Sequence, residues 1–376
     1  MHLKAIGMKS FYPTTIIVII SILASCSGKI GPDHEIGHAI SFSVSQSFSA
    51  EVTKASLFEP EDLNVMDADH SHEGNFKVMA YNSDTDGRYF DNPEWIHFIY
   101  YPTNPQSSRW HFWNGSSIYT RYWTVTHALD FFAYMPYDLS GSGMELAIDR
   151  KEINCNLPID RPATEGNEAE NSTAAQSAAK EFVYAYSPDY TYETDNGNVD
   201  LNFIHPLSAI YFKLGEAHGN TVIHSVGLSR LHNTGTLNVS QNLTQGDLEY
   251  SDWNIPTGAT RGDMTISINK TVGGSGSQGI QLNSPIGGPY LVMPQATATS
   301  QPTSTPASTE DIYITVSFTW NGTETDARVK LGGDGWKPGY KYTYTLTLGD
   351  NEEDILANVH ITPWNVINHK NNIEIE

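Results

Sequence analysis

The residue with the clearest chemical assignment is Cys26. It closes the run Leu23-Ala24-Ser25-Cys26 and is followed by Ser27-Gly28. Small residues ahead of such a cysteine admit a signal peptidase, and the thiol takes a diacylglycerol. Upstream, residues 1–12 carry Lys4 and Lys9 and no acid, and Ile16-Ile17-Val18-Ile19-Ile20-Ser21-Ile22-Leu23 is a short apolar run. It is about half of the ~20 residues a spanning helix needs, so residues 1–25 read as a lipoprotein signal peptide. The bland alternative is an ordinary export signal with a chance cysteine. Two or three acyl chains, at about 0.8 kcal/mol per buried methylene, give a firm anchor.

Other groupings are capable of chemistry, and each has a structural reading beside it. Asp67-Ala68-Asp69-His70-Ser71-His72-Glu73 gathers metal-capable ligands, with His70 and His72 on one face of an extended segment. A solvated acidic loop accounts for it better, and no metal site is expected. Asn82-Ser83-Asp84-Thr85-Asp86-Gly87 starts like a calcium loop, but position twelve is Pro93 instead of a bidentate glutamate. A turn held by side-chain oxygens is the better account. Trp95, Trp110, Trp113 and Trp123 could form a sugar-stacking platform, although core packing suits the set better. Arg261-Gly262-Asp263 spells an adhesion tripeptide between two apparent strands, where an exposed turn is the simpler expectation. Cys155, between Asn154 and Asn156, reads as a plain strand residue. No Gly-x-Ser-x-Gly elbow, His-Glu-x-x-His helix or phosphate-cradling glycine loop is present. No enzymatic activity and no cofactor are expected.

The frame that must position these residues follows from composition. Across 376 residues, 39% are hydrophobic and 11% aromatic, so the chain can bury sizeable cores and is no disordered polymer. A net charge of −22 repels phosphate backbones and argues against nucleic acid as a partner. Two cysteines cannot staple a chain of this size. Thirty glycines and 19 prolines, among many Thr, Ser and Tyr residues, favour short strands and turns.

Period-two alternation places strands over 39–44, 76–81, 199–203, 205–214, 222–228, 264–268, 312–320, 340–348 and 357–361. The segment 129–136 is strand-like and stopped by Pro136. In the first strand Ile40, Phe42 and Val44 share one face of the pleat. Residues 163–180 read as a polar loop, and residues 295–309 as a Ser/Thr/Pro-rich insertion. A composition change near 195–198 divides the chain. Residues 26–37 form a tether, 38–198 an amino-terminal β-sandwich domain and 199–376 a carboxy-terminal one. The fold class is all-β.

Several of these segments, in this order, resemble the fimbrillin family of type V pilins, Mfa-like subgroup. The lipobox Cys26 and Ile40-Ser41-Phe42-Ser43-Val44 come first, then Phe76-Lys77-Val78-Met79-Ala80-Tyr81 and Tyr122-Trp123 leading into 129–136. Phe203-Ile204-His205-Pro206-Leu207-Ser208-Ala209 and Tyr290-Leu291-Val292-Met293-Pro294-Gln295 follow. The tail adds Ile314-Thr315-Val316, Trp336-Lys337-Pro338-Gly339-Tyr340-Lys341-Tyr342 and Val359-His360-Ile361-Thr362-Pro363-Trp364.

The resemblance implies two transthyretin-like (Ig-like) β-sandwich domains in tandem and an outer-membrane lipoprotein. It implies proteolytic removal of the first strand (Ile40, Phe42, Val44) and its replacement by a strand of another fimbrial subunit. The partners it implies are other subunits and the outer-membrane lipid anchor, with host or bacterial surface ligands as adhesion targets. In the family the cut commonly follows an arginine. Here Val52-Thr53-Lys54-Ala55 puts lysine there, making Lys54 and Ala55 the candidate processing site. The competing function is a monomeric surface lipoprotein that binds glycans. For the anchor, Cys26→Ala is expected to leave soluble or uncleaved precursor, and unchanged membrane fractionation would contradict acylation.

Overall fold

The computed structural model describes residues 35–46, 76–99, 109–135, 145–148, 152–157, 182–216, 221–239, 248–272, 284–297, 311–332, 335–348 and 355–363. These are nearly all strand, with short 3₁₀ turns at Thr194–Gly197 and Tyr250–Asp252. Among them no helix is long and apolar enough to cross a membrane. The amino-terminal half supplies β1 (Glu35–Ala39), β2 (Ser41–Gln46), β3 (Phe76–Asn82), β4 (Glu94–Ile99), β5 (Arg109–Trp113) and β6 (Ile118–Tyr119). It continues with β7 (Tyr122–Thr124), β8 (Leu129–Met135), β9 (Glu145–Ile148), β10 (Glu152–Asn156), β11 (Val183–Tyr190) and β12 (Asn198–Phe203).

A six-stranded sheet in the order β11-β8-β3-β4-β5-β6 is the largest layer. Phe76, Val78 and Ala80 of β3, Ile96 of β4, Trp110 and Phe112 of β5 and Leu129, Phe131 and Ala133 of β8 all face a first core. Two smaller pairs, β1-β7 and β12-β2, lie on the other side of that core and supply Ile40, Phe42, Trp123, Val199, Leu201 and Phe203. The tract read as tether enters the fold at Glu35, where β1 begins. The expected boundary at 198/199 falls at the first residue of β12, a strand of the first core, and the chain joins the second core by Ile210.

The later strands are β13 (Ser208–Glu216), β14 (Thr221–His232), β15 (Thr234–Asn238), β16 (Trp253–Asn254) and β17 (Arg261–Val272). They end with β18 (Ser284–Val292), β19 (Tyr313–Trp320), β20 (Thr323–Lys330), β21 (Tyr340–Leu348) and β22 (Ile355–Pro363). Sheets β18-β13-β21-β22 and β17-β14-β19-β20 enclose the second core, which includes Phe212, Val226, Ile314, Val316, Trp336 and Tyr344. Trp336 donates its indole N–H to the Tyr344 hydroxyl (2.8 Å), which satisfies a polar atom deep in that core. β13 starts at Ser208 and not at His205 as alternation alone predicts, because Pro206 has no N–H for the ladder.

A third cluster joins the halves. The outward side chains of the large sheet, Met79, Phe132 and Tyr184, meet Ile153, Cys155, Leu237 and Trp253 of the sheet β16-β15-β10-β9. In that sheet β10 pairs with β15 from Glu152↔Asn238 to Asn156↔Thr234, so strands distant in sequence share one ladder. Burial pushes the Cys155 thiol up to about 12. At pH 8 its thiolate fraction is therefore about three orders of magnitude below that of a free cysteine. Iodoacetamide is expected to spare Cys155 in the folded chain and to label it in urea. Rapid labelling of folded protein would show that this cluster opens.

Candidate functional site

Alternation in the first segment selects what it buries. Ile40 and Phe42 are 5% and 6% exposed, Val44 is half-buried against the same core, and Ser43 points outward. The Phe42 ring lies 5.5 Å from Phe112, 5.9 Å from Phe131 and 6.0 Å from Phe76 by centroid, mostly edge-on. Such edge-to-face pairs add to the burial itself.

Two different strands hold this segment. β1 runs antiparallel to β7, with Glu35 opposite Thr124 and Ala39 opposite Tyr122. At Ile40 the backbone N–H donates to Arg121 O (2.9 Å), and the chain then crosses to another partner. β2 runs parallel to β12 in unbroken register from Ser41↔Asn198 to Gln46↔Phe203. Side chains reinforce that ladder: Ser41 donates to Asn198 Oδ1 (3.2 Å), and Asn198 Nδ2 donates to Ser43 Oγ (2.7 Å). Among the described residues β7 has no sheet partner but β1, and β12 none but β2. One segment therefore bridges two edges that do not pair with each other. Without it, both edges present unpaired N–H and C=O groups beside an open aromatic pocket.

The walls of this slot also carry side-chain bonds of their own. Trp123 of β7 is fully buried and donates Nε1–H to Gly197 O (3.2 Å). Gly197 has φ +84°, and a Cβ there would meet the Trp123 indole nitrogen at 2.8 Å, so both space and backbone require glycine. At the neighbouring corner Arg121 binds Glu94 (Nε to Oε1 3.0 Å), and its guanidinium lies over Phe90 and Tyr119. Tyr119 also donates its hydroxyl to Glu94. Burial first, and then the adjacent carboxylate, raise the Tyr119 pKa, so its hydroxyl remains a donor through the physiological range.

The other sequence candidates separate under the structure. Cys26, Lys54, Ala55, His70 and His72 lie outside the described residues. Asn82-Gly87 is a tight turn closed by Asn82 N–H to Gly87 O (2.8 Å) and Asp86 N–H to Asn82 O (2.9 Å). No group of three or more His, Cys, Asp or Glu among the described residues is placed to hold a metal. The four tryptophans do not share a surface. Trp110 and Trp123 belong to the first core, whereas Trp95 and Trp113 oppose each other across β4 and β5 on the outer face, flanking the buried His97. Arg261-Gly262-Asp263 is not the exposed turn expected from its surroundings. It opens β17, where Arg261 donates to Arg230 O (3.1 Å) and Asp263 accepts from Arg230 N–H (2.9 Å), locking both side chains to a bulge.

A family model for fimbrillin-like proteins matches residues 65–364. The chain belongs to the fimbrillin-like family. A crystallised fimbrial protein from Bacteroides vulgatus resembles the structure with a TM-score of 0.53 at 13% identity, covering 87% of this chain and 100% of its own. A cell adhesion protein from Bacteroides ovatus gives 0.46 at 12% identity, with 87% and 97% covered. One from Bacteroides uniformis gives 0.44 at 16%, with 77% and 91% covered. No curated protein sequence matches. The family match starts after the first strand, so the slot described above rests on the geometry of this fimbrillin-like chain alone.

Sequence reasoning found the buried face of the first strand but not its two partners. The parallel ladder with β12 left no local signal, since its strands are separated by most of the amino-terminal half. Replacing Phe42 with alanine is expected to cost about 3–5 kcal/mol of stability. Ser43→Ala, on the outward face, should shift it by only about 0.5–1.5 kcal/mol through the lost Asn198 bond. Denaturant unfolding of both variants checks this, and equal effects would contradict the facing assigned here.

Proposed function

We propose that this fimbrillin-like chain is a structural and adhesive subunit of a cell-surface fimbrium. It is exported, acylated at Cys26 and tethered to the outer membrane. It assembles when the segment containing β1 and β2 is cut away and a strand of another subunit takes its place. The observation that carries this reading is the split attachment of that segment, antiparallel to β7 and parallel to β12, with Phe42 filling an aromatic pocket. A strand held this way is separable, because neither neighbour is its hairpin partner. A donor restores the same ladders and the same pocket, so exchange trades like for like and the cut supplies direction.

Cleavage after Lys54 falls eight residues beyond Gln46, the end of β2, which leaves the bonded strand intact until processing. The donor in this account is the carboxy-terminal segment 365–376. It carries Val366-Ile367 and Ile373-Glu374-Ile375, has no proline, and its 12 residues reach about 40 Å when extended. Trypsin-like cleavage of purified precursor is expected to yield SDS-resistant ladders whose subunits begin at Ala55 by mass spectrometry. Deleting residues 371–376 should abolish the ladders and leave a folded monomer. Loss of monomer stability instead would make that tail a closing strand of its own subunit. Cleaved chains that stay monomeric and bind oligosaccharide would favour the glycan-binding alternative.

A further inference from the structure

The edge strand β20 carries an unusual order of charges. It reads Thr323-Glu324-Thr325-Asp326-Ala327-Arg328-Val329-Lys330 and is, among the described residues, the outermost strand of the sheet β17-β14-β19-β20. Ala327 packs into the second core, with Val329 against it, while Glu324, Asp326, Arg328 and Lys330 are exposed. The outward row therefore runs acid, acid, base, base along one strand. Pairing with β19 is regular over eight residues, with no bulge and no proline to blunt the free edge.

Backbone polarity agrees with the side chains. The β19–β20 hairpin turns on Asn321-Gly322, with φ of 48° and 87°, and Trp320 lies opposite Thr323. In a two-residue hairpin the closing pair exchanges both hydrogen bonds, and bonded and non-bonded positions then alternate. The N–H and C=O groups of Glu324, Asp326, Arg328 and Lys330 thus point off the free edge. The residues that carry charge are the ones whose backbone can accept a new strand.

We infer that β20 is a self-complementary edge that pairs antiparallel with β20 of a second copy of this chain about a two-fold axis at Ala327. In that register Glu324 faces Lys330 of the other copy and Asp326 faces Arg328, each pair occurring twice by symmetry. All four facing pairs are opposite in charge, and all sit at positions that exchange backbone hydrogen bonds. A shift of two residues either way puts Asp326 against Asp326 or Arg328 against Arg328. Parallel pairing sets like against like throughout. The charge order selects one register of one orientation.

Two further features fit this occupant. Lys330 is held by the buried carboxylate of Asp311 at 2.8 Å, and Arg328 lies 5.2 Å over the Tyr313 ring. Both contacts lie on the β19 side of β20, and a lysine ammonium has three donors, enough for Asp311 and an incoming Glu324 together. β22, the edge of the facing sheet, comes alongside β20, and its core-side residues Val359 and Ile361 remain 47% and 51% exposed. A strand added beyond β20 extends the sheet over that apolar margin. The chain's net charge of −22 opposes association of copies in general, so a local surface that carries both signs of charge is favoured for contact.

The test places a cysteine on the axis and swaps the central charges. Ala327→Cys in the full chain on intact cells should give a disulfide-linked dimer on mild oxidation, since facing residues of a non-bonded pair have Cα atoms about 4.5 Å apart. In that background Asp326→Lys alone or Arg328→Asp alone should lower the dimer yield about tenfold. The double variant Asp326→Lys/Arg328→Asp should restore it, and so should co-expression of the two singles. Restoration cannot arise from misfolding, and neither variant disturbs the Lys330–Asp311 pair. The inference is overturned if the single variants cross-link as well as the parent, if the double variant does not recover, or if the cysteine links to a different protein. It does not depend on strand donation: donation-deficient Ala327→Cys chains lacking residues 371–376 should still cross-link through the introduced thiol.

Discussion

Phe42 sits among Phe76, Phe112 and Phe131, and the backbone that places it there is bonded to β7 on one stretch and to β12 on the next. That divided attachment governs the amino-terminal half. The six-stranded sheet buries one apolar row from each of its strands, and the opposite layer must cover the row completely. β7 and β12 alone leave a gap between them. A fully buried large apolar side chain contributes about 1.5–3 kcal/mol, so Ile40 and Phe42 together favour occupancy of the gap by several kcal/mol. The gap is therefore a strong site for any extended segment that alternates large apolar residues with polar ones. The side-chain bonds of the braces around it, Trp123 to Gly197 and Arg121 to Glu94, are made between residues outside the segment, which adds to them only through Ser41 on Gly197 O and Ile40 on Arg121 O.

What alternation could reveal, it revealed in the strands with one dry face. Phe76, Val78 and Ala80, or Ile314, Val316 and Phe318, announce their buried side by spacing alone. β4 and β5 were hidden because both of their faces are aromatic: Ile96, Trp110 and Phe112 turn inward while Trp95, His97 and Trp113 turn outward, which erases the period-two signal. β20 is hidden for the opposite reason, since Thr325 is polar and Ala327 too small to mark an inward row. The tripeptide at Arg261 shows how composition misleads at a bulge. Its three residues read as a turn, yet Arg230 takes φ +66° and absorbs the irregularity from the neighbouring strand. Pairings between distant strands, β2 with β12 and β10 with β15, depend on the global path of the chain and leave no local mark.

Electrostatics and edges are handled together in this molecule. The chain is strongly acidic, with a net charge of −22, and several of its bases sit at structural joints. Arg121 closes the corner beside the first core, and Lys330 neutralises the buried Asp311. Arg230 and Arg328 both lie over Tyr313. Exposed strand edges in such a chain invite pairing unless charge forbids it. The edges of β7 and β12 are covered by the first segment, whereas the edge of β20 is guarded by charges that exclude most registers and admit one. End-to-end and side-by-side contacts of a fimbrillin-like subunit would then rest on separate surfaces with separate physics, one apolar and one ionic.

The central claim is that residues 35–46 form a replaceable strand that closes an otherwise preformed core. Native-state hydrogen exchange of a chain lacking that segment tests it most directly, read at the amides of β7, β12, β3 and β8. The account predicts that protection falls at β7 and β12 while β3 and β8 keep theirs, and that a peptide of residues 365–376 restores protection at β12. Loss of protection throughout the large sheet, or a β12 whose amides exchange as slowly without the segment as with it, would contradict the account.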